Sequence, residues 1–170
     1  ALHTFTYASA VEQGLRRAPS PELLRGVFDA AMSVYLDRFL NIPPARLPQA
    51  DQITYYDKDI LSTLPSLLDR QQQVDEAGEA VAAYLYGGGE LKSLKATLGS
   101  LLLREDRDFH TIQAVEAAFR QVQLLSDENE IAHLMIAATR YLAAHTPTVR
   151  AQGQTYQIAQ RLHRGEELFA

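Results

Sequence analysis

The chain has 170 residues, 46% of them hydrophobic and 22% charged, with a formal net charge of -5 and no cysteine. That length suits one domain with a real core. The missing cysteine excludes disulfides, thiolate metal sites and cysteine nucleophiles within these residues, without fixing a compartment. No apolar run approaches the roughly 20 residues of a membrane span, and no basic-then-apolar leader is visible, so a cytoplasmic protein is expected. The chain begins at Ala1 without Met, which reads as a processed protein or as a single helical domain, 1–170, within a longer one.

The apolar pattern is helical nearly throughout. A first helix is expected over about residues 5–17, with Val11 and Leu15 four apart, broken by Ala18-Pro19. Ser20-Pro21-Glu22 restarts the helix, since Ser suits the N-cap and Pro the first helical position. Leu24, Val27, Phe28, Ala31 and Tyr35 recur at helical spacing to about Leu40. Residues 41–52 hold Pro43, Pro44 and Pro48 and read as an extended loop, laid on the surface through Ile42 and Leu47. Asp57 is a plausible cap for a third helix, which Pro65 interrupts or restarts. Its stripe runs through Leu64, Leu68, Val74, Val81 and Leu85 to Tyr86, where Gly87-Gly88-Gly89 provides a C-cap and turn.

Leu91, Leu94, Leu98, Leu101 and Leu102 mark the next helix. The acidic cluster Glu105, Asp106 and Asp108 separates it from a helix over 110–123, and Ser126 or Asp127 caps the one after. Ile131, Leu134, Met135, Ala138 and Leu142 carry that helix to His145. Thr146-Pro147 begins the last helix, with Val149, Tyr156, Ala159 and Leu162 expected on its inner side. No strand-like alternation competes, so the expected fold is all-α: a compact bundle of six to eight mostly antiparallel helices.

Four places have chemistry to weigh. On a helix His110, Gln113, Glu116 and Arg120 share one side, and a His with a Glu can act as base and orienter or as metal ligands; the alternative is a solvated amphipathic face. Glu130 and His133 form an E-x-x-H pair, the spacing used in di-iron bundles, where iron or another transition metal would be the cofactor. That pattern needs a second such pair, which is missing. Glu116 and Glu12 are the spare carboxylates, and Arg140 on the same side opposes a cation. His145 follows the apolar stripe at a helix end. It reads as a capping or core histidine bonded to a carbonyl, or as a catalytic ligand or proton carrier that His163 or His3 could meet. Gly87-Gly88-Gly89 lacks the following Lys of a phosphate loop, and no nucleophile-elbow, zincin or dinucleotide motif occurs.

The fourth is a charge gap. No Asp or Glu lies between Glu130 and Glu166, while Arg140, Arg150, Arg161 and Arg164 do. These arginines are too sparse for a nucleic-acid footprint. They suit either an anionic small ligand or pairing inside the bundle with acidic residues of 69–79 and 105–108.

Three phrases, VYLDRFLNIPPARLP (34–48), LLREDRDFHTIQAVEAAFRQ (102–121) and TRYLAAHTPTVRAQGQT (139–155), together resemble a helical region of uncharacterised bacterial proteins, some associated with Rieske-type iron–sulfur domains. The cluster-binding Cys/His motif is not here, so the resemblance implies a redox centre in another segment or chain and assigns no catalytic residue. Three functions follow. The first is a helical component of a redox or metal-dependent enzyme system, tested at His110, Glu116, Glu130, His133 and His145. The second is a non-catalytic helical interaction or oligomerisation module with a protein partner. The third is anionic-ligand binding at the Arg-rich C-terminal helices.

Overall fold

The computed structural model describes residues 1–40, 46–56 and 59–167. Among these described residues eight α-helices follow in order: α1 (Leu2–Arg17), α2 (Pro21–Asp37), α3 (Ile60–Leu68), α4 (Val74–Tyr86), α5 (Leu91–Leu103), α6 (Phe109–Gln121), α7 (Glu128–Ala144) and α8 (Ala151–His163), with a 3₁₀ turn at Ala50–Gln52. There is no strand among the described residues, and the all-α expectation holds. The cap expected at Asp57, and Ile42, Pro43 and Pro44 of the loop, lie outside the described residues.

Five helices form a closed ring. Going round it, α6 packs on α7, α7 on α4, α4 on α3, α3 on α5, and α5 back on α6; α4 with α7 is the most extensive pair. The core fills this ring: Leu64, Leu68, Val81, Leu94, Leu98, Met135, Ile136 and Leu142 are almost fully enclosed. Alanines line the α4–α7 contact, with Ala77, Ala82, Ala83, Ala132 and Ala143 all buried, so the two backbones approach closely. Outside the ring, α1 lies on α6 and α2 lies on α1. Only Ser9 of α1 is buried, and neither α2 nor α8 buries any residue.

Local signals explain most boundaries. Ser20 accepts a hydrogen bond from the Leu23 N–H at 3.2 Å and starts α2; Asp127, not Ser126, accepts from Asn129 and Glu130 and starts α7. After Tyr86, Gly88 at φ 80° makes the left-handed turn that closes α4. Gly89 allows the close approach of the Tyr84 ring, which a Cβ would meet at 2.5 Å. Pro65 does not break α3. The break comes at Gln72, in the left-handed region at φ 62°, and it divides the expected long helix into α3 and α4.

The last helix departs most from expectation. It begins at Ala151 rather than at Thr146-Pro147, whose peptide bond is cis. Its supposed inner side is outside: Val149, Tyr156 and Leu162 are 69%, 65% and 55% exposed, and Ala159 is exposed too. Among the described residues no other helix packs extensively on α8. Helical spacing revealed a stripe on it but could not reveal whether a partner helix was there to cover it.

Candidate functional site

The three-dimensional structure gathers polar chemistry at the joint between α7 and α8. Glu105, directly after α5, has a side chain with no solvent exposure. Its Oε2 accepts from the Thr148 N–H at 2.6 Å and the Thr148 hydroxyl at 3.1 Å. Its Oε1 accepts from Arg150 Nε at 3.0 Å and Nη2 at 2.8 Å. Burial alone would raise the carboxyl's pKa; the Thr148 N–H, then Arg150 and the Thr148 hydroxyl, outweigh it and hold the group below the ordinary carboxylate range. Asp69 joins the network through Arg150 and through Arg104 at 3.0 Å. Asp106 accepts from the Ala151 and Gln152 N–H groups, both at 2.8 Å, and so occupies the free end of α8.

Beside this network lies a cleft of about 360 Å³, lined by Gln71, Arg107, Asp108, Thr111, His145 and Thr148 among others. Arg107 is committed within it: its guanidinium donates to the His145 carbonyl and, at 2.8 Å, to the Thr146 hydroxyl. Burial draws its pKa below the usual arginine range. Asp108 caps α6, accepting from the Thr111 N–H at 2.8 Å, and that bond holds it below the usual carboxylate range.

His145 is the C-cap of α7, solvent exposed rather than on the apolar stripe. Its Nδ1 lies 2.8 Å from the Tyr141 carbonyl, and its ring stacks on Tyr141 at 4.3 Å. A carbonyl only accepts, so Nδ1 is the donor in this contact. This is the capping arrangement, and the carbonyl rather than a carboxylate orients the ring.

The other predicted residues stay apart. His110 meets His3 edge-on at 4.9 Å and lies against Phe109 at 3.9 Å. His3 thus meets His110 rather than His145. Glu116 does not orient His110; it pairs with Arg120 on the helix surface. Glu12 is likewise taken by Arg16. Both His3 and Glu116 border a groove of about 630 Å³ between α1 and α6, without touching each other. Glu130 is exposed, while His133 Nε2 is buried without a hydrogen-bond partner. Among the described residues no three His, Asp or Glu side chains are placed to hold a metal ion.

The arginines of the charge gap are paired. Arg140 bonds Asp75 at 2.9 Å and the Arg46 carbonyl at 2.6 Å. Arg150 reaches Asp69 and Glu105, and Arg161 and Arg164 both reach Glu166. The basic third docks onto the acidic stretches of 69–79 and 105–108, and onto Glu166 at its own end. Sequence reasoning anticipated pairing by the acidic stretch 105–108 but missed Thr148 as a partner of Glu105 and Arg107 as the anchor of Thr146. The available signal was the alternation Arg104-Glu105-Asp106-Arg107-Asp108, dense for a simple turn.

A second surface is chemically plainer. On α2, Leu23, Gly26, Ala30, Ser33 and Asp37 are the shielded positions, and α1 is the helix they pack on. A Cβ on Gly26 would lie 2.9 Å from the Val11 side chain, so the pair is close because its residues are small. The large residues point away: Leu24, Val27, Phe28, Met32, Val34, Tyr35, Leu36 and Phe39 are all exposed, Phe28 by 74%. At 100° per residue they span an arc of roughly 200°.

No known protein family, characterised protein or solved structure matches this chain.

Proposed function

We propose that the chain is a non-catalytic helical interaction module whose docking surface is the outer face of α2. One observation supports this above the rest: a 17-residue helix whose large apolar side chains fan over roughly 200° and stay exposed, and which among the described residues packs extensively on α1 alone and buries none of its residues. Exposed apolar patches of more than a few hundred Å² mark interaction sites.

The rival readings have less support. A redox or metal-dependent component rests on the resemblance to Rieske-associated helical regions, and its candidates His110, Glu116, Glu130, His133 and His145 form no three-ligand group among the described residues. Anion binding at the C-terminal helices competes with the carboxylates that already hold Arg150, Arg161 and Arg164.

The test replaces Phe28 and Tyr35 together by Glu. Circular dichroism and melting temperature should stay near wild type, because neither side chain belongs to the buried core, while binding of the apolar dye bis-ANS or association of the chain should fall sharply. A variant that melts the isolated chain, or a wild type showing neither dye binding nor association, would refute the module.

A further inference from the structure

We infer that the occupant of the α2 face is a second copy of this chain, with the two α2 helices crossing antiparallel about a twofold axis near Ala31. The inference rests on the interaction-module reading and specifies its partner.

Area is the first argument. Nine exposed apolar side chains between Leu24 and Leu40 are 45–75% exposed. With about 150–250 Å² for each large ring and less for the aliphatics, the face offers on the order of 800 Å². A stable complex buries about that much per partner. A monomer's largest patch is usually smaller.

Charge is the second. A twofold contact sets a patch against itself, so a patch of one sign would repel its copy. This one is nearly neutral. Arg25 and Asp29 sit together on one flank, 3.9 Å apart. Arg38 lies flat over Tyr35 and Phe39, at 4.0 and 4.6 Å from the ring centroids, so its charge is spread on the face itself. The patch suits neither a polyanion nor an anionic membrane.

Direction follows from the ends. In a parallel pair Arg38 would meet Arg38 of the copy and the helix dipoles would align unfavourably. The antiparallel pair instead separates the two Arg38 side chains and opposes the helix dipoles. The exposed apolar residues run from Leu24 to Leu40, so the middle of the face, and the crossing, falls beside Ala31. Ala31 is exposed, small and near the middle of the apolar arc, which lets the two backbones approach.

Sedimentation equilibrium on the whole chain tests this. The expected mass is twice 18.9 kDa at micromolar concentrations, and Phe28→Glu should weaken association by about 30-fold or more, as for a central apolar anchor. The chain has no cysteine, so Ala31→Cys should form an intermolecular disulfide under mild oxidation whereas Leu24→Cys, far from the axis, should not. A dimer in which Leu24→Cys closes as readily as Ala31→Cys overturns the antiparallel crossing. A single-chain mass at every concentration overturns the second copy. If that monomer binds bis-ANS through Phe28, or floats with neutral phosphatidylcholine vesicles, α2 serves a different partner or a lipid surface; if it does neither, the interaction-module reading falls too.

Discussion

Replacing Glu105 by Gln or Ala removes the carboxylate that joins the end of α5 to the segment before α8. Four donors converge on it, from Thr148 and Arg150. Removing one side of a buried ionic contact costs on the order of 3–5 kcal/mol. The lower end applies here, because Arg150 is 42% exposed and regains water when its partner is gone. Glu105→Ala should therefore cost about 3 kcal/mol. Glu105→Gln keeps the shape and one acceptor for the Thr148 N–H, so about 1–2 kcal/mol is expected. For a chain of this length each kcal/mol moves the melting temperature by roughly 2–4 °C. Thermal melts followed by circular dichroism should thus fall by roughly 6–12 °C for Ala and less for Gln. Glu116→Ala is the comparison, since its pair with Arg120 is largely exposed and worth roughly 0.5 kcal/mol or less. If Glu105→Ala melts together with Glu116→Ala, the joint is held by something other than its carboxylate.

Acid should act at the same place. Glu105 and Asp108 both titrate below their ordinary values, so the stability they supply is complete above the ordinary carboxylate range, about pH 4–4.5, and is lost as pH falls through their depressed folded values. Melts from pH 7 to 3 should show a steeper acid decline for wild type than for Glu105→Gln. Asp108→Ala should fray the start of α6, read as faster amide exchange at Thr111, whose N–H loses its acceptor. Gly26→Leu should separate α2 from α1, lowering stability by about 1–3 kcal/mol in urea titration, because even a Cβ lies 2.9 Å from Val11; unchanged stability would contradict the close packing. His133→Leu should be neutral or stabilising in the same titration, because it removes a buried ring nitrogen that has no partner.

The parts of the fold legible in sequence were those decided locally. Ser20, Asp127 and the Gly87–Gly89 turn each act on backbone within a few residues, and the structure places all three where helices start or stop. Leucine spacing in α5 also marked its core side, since Leu94, Leu98, Leu101 and Leu102 are buried. What failed was the step from stripe to interior. Periodicity on α2 and α8 is as regular as on α5, but burial depends on which helices come alongside, and that is set by contacts far apart in sequence. On α2 the packing side is made of Gly26, Ala30 and Ser33, too small to register as a stripe. The site was half legible for the same reason. Opposite charges in 69–79, 105–108 and 140–164 announced pairing, while the convergence of Thr148 and Arg150 on one buried oxygen pair needed the turn after α7.

The attachment of α8 has a thermodynamic consequence. It is held at its first turn by carboxylates and buries no side chain. Heat capacity of unfolding and denaturant sensitivity both scale with apolar surface exposed, and α8 has little to expose. Its release should pass almost unseen in calorimetry and in the urea slope, both of which report the five-helix ring. Ionic strength is the variable that would move it, because charge pairs near the surface weaken with salt while apolar burial does not. Two portions of one polypeptide should then answer to different solvents: the ring to urea, the arm to sodium chloride.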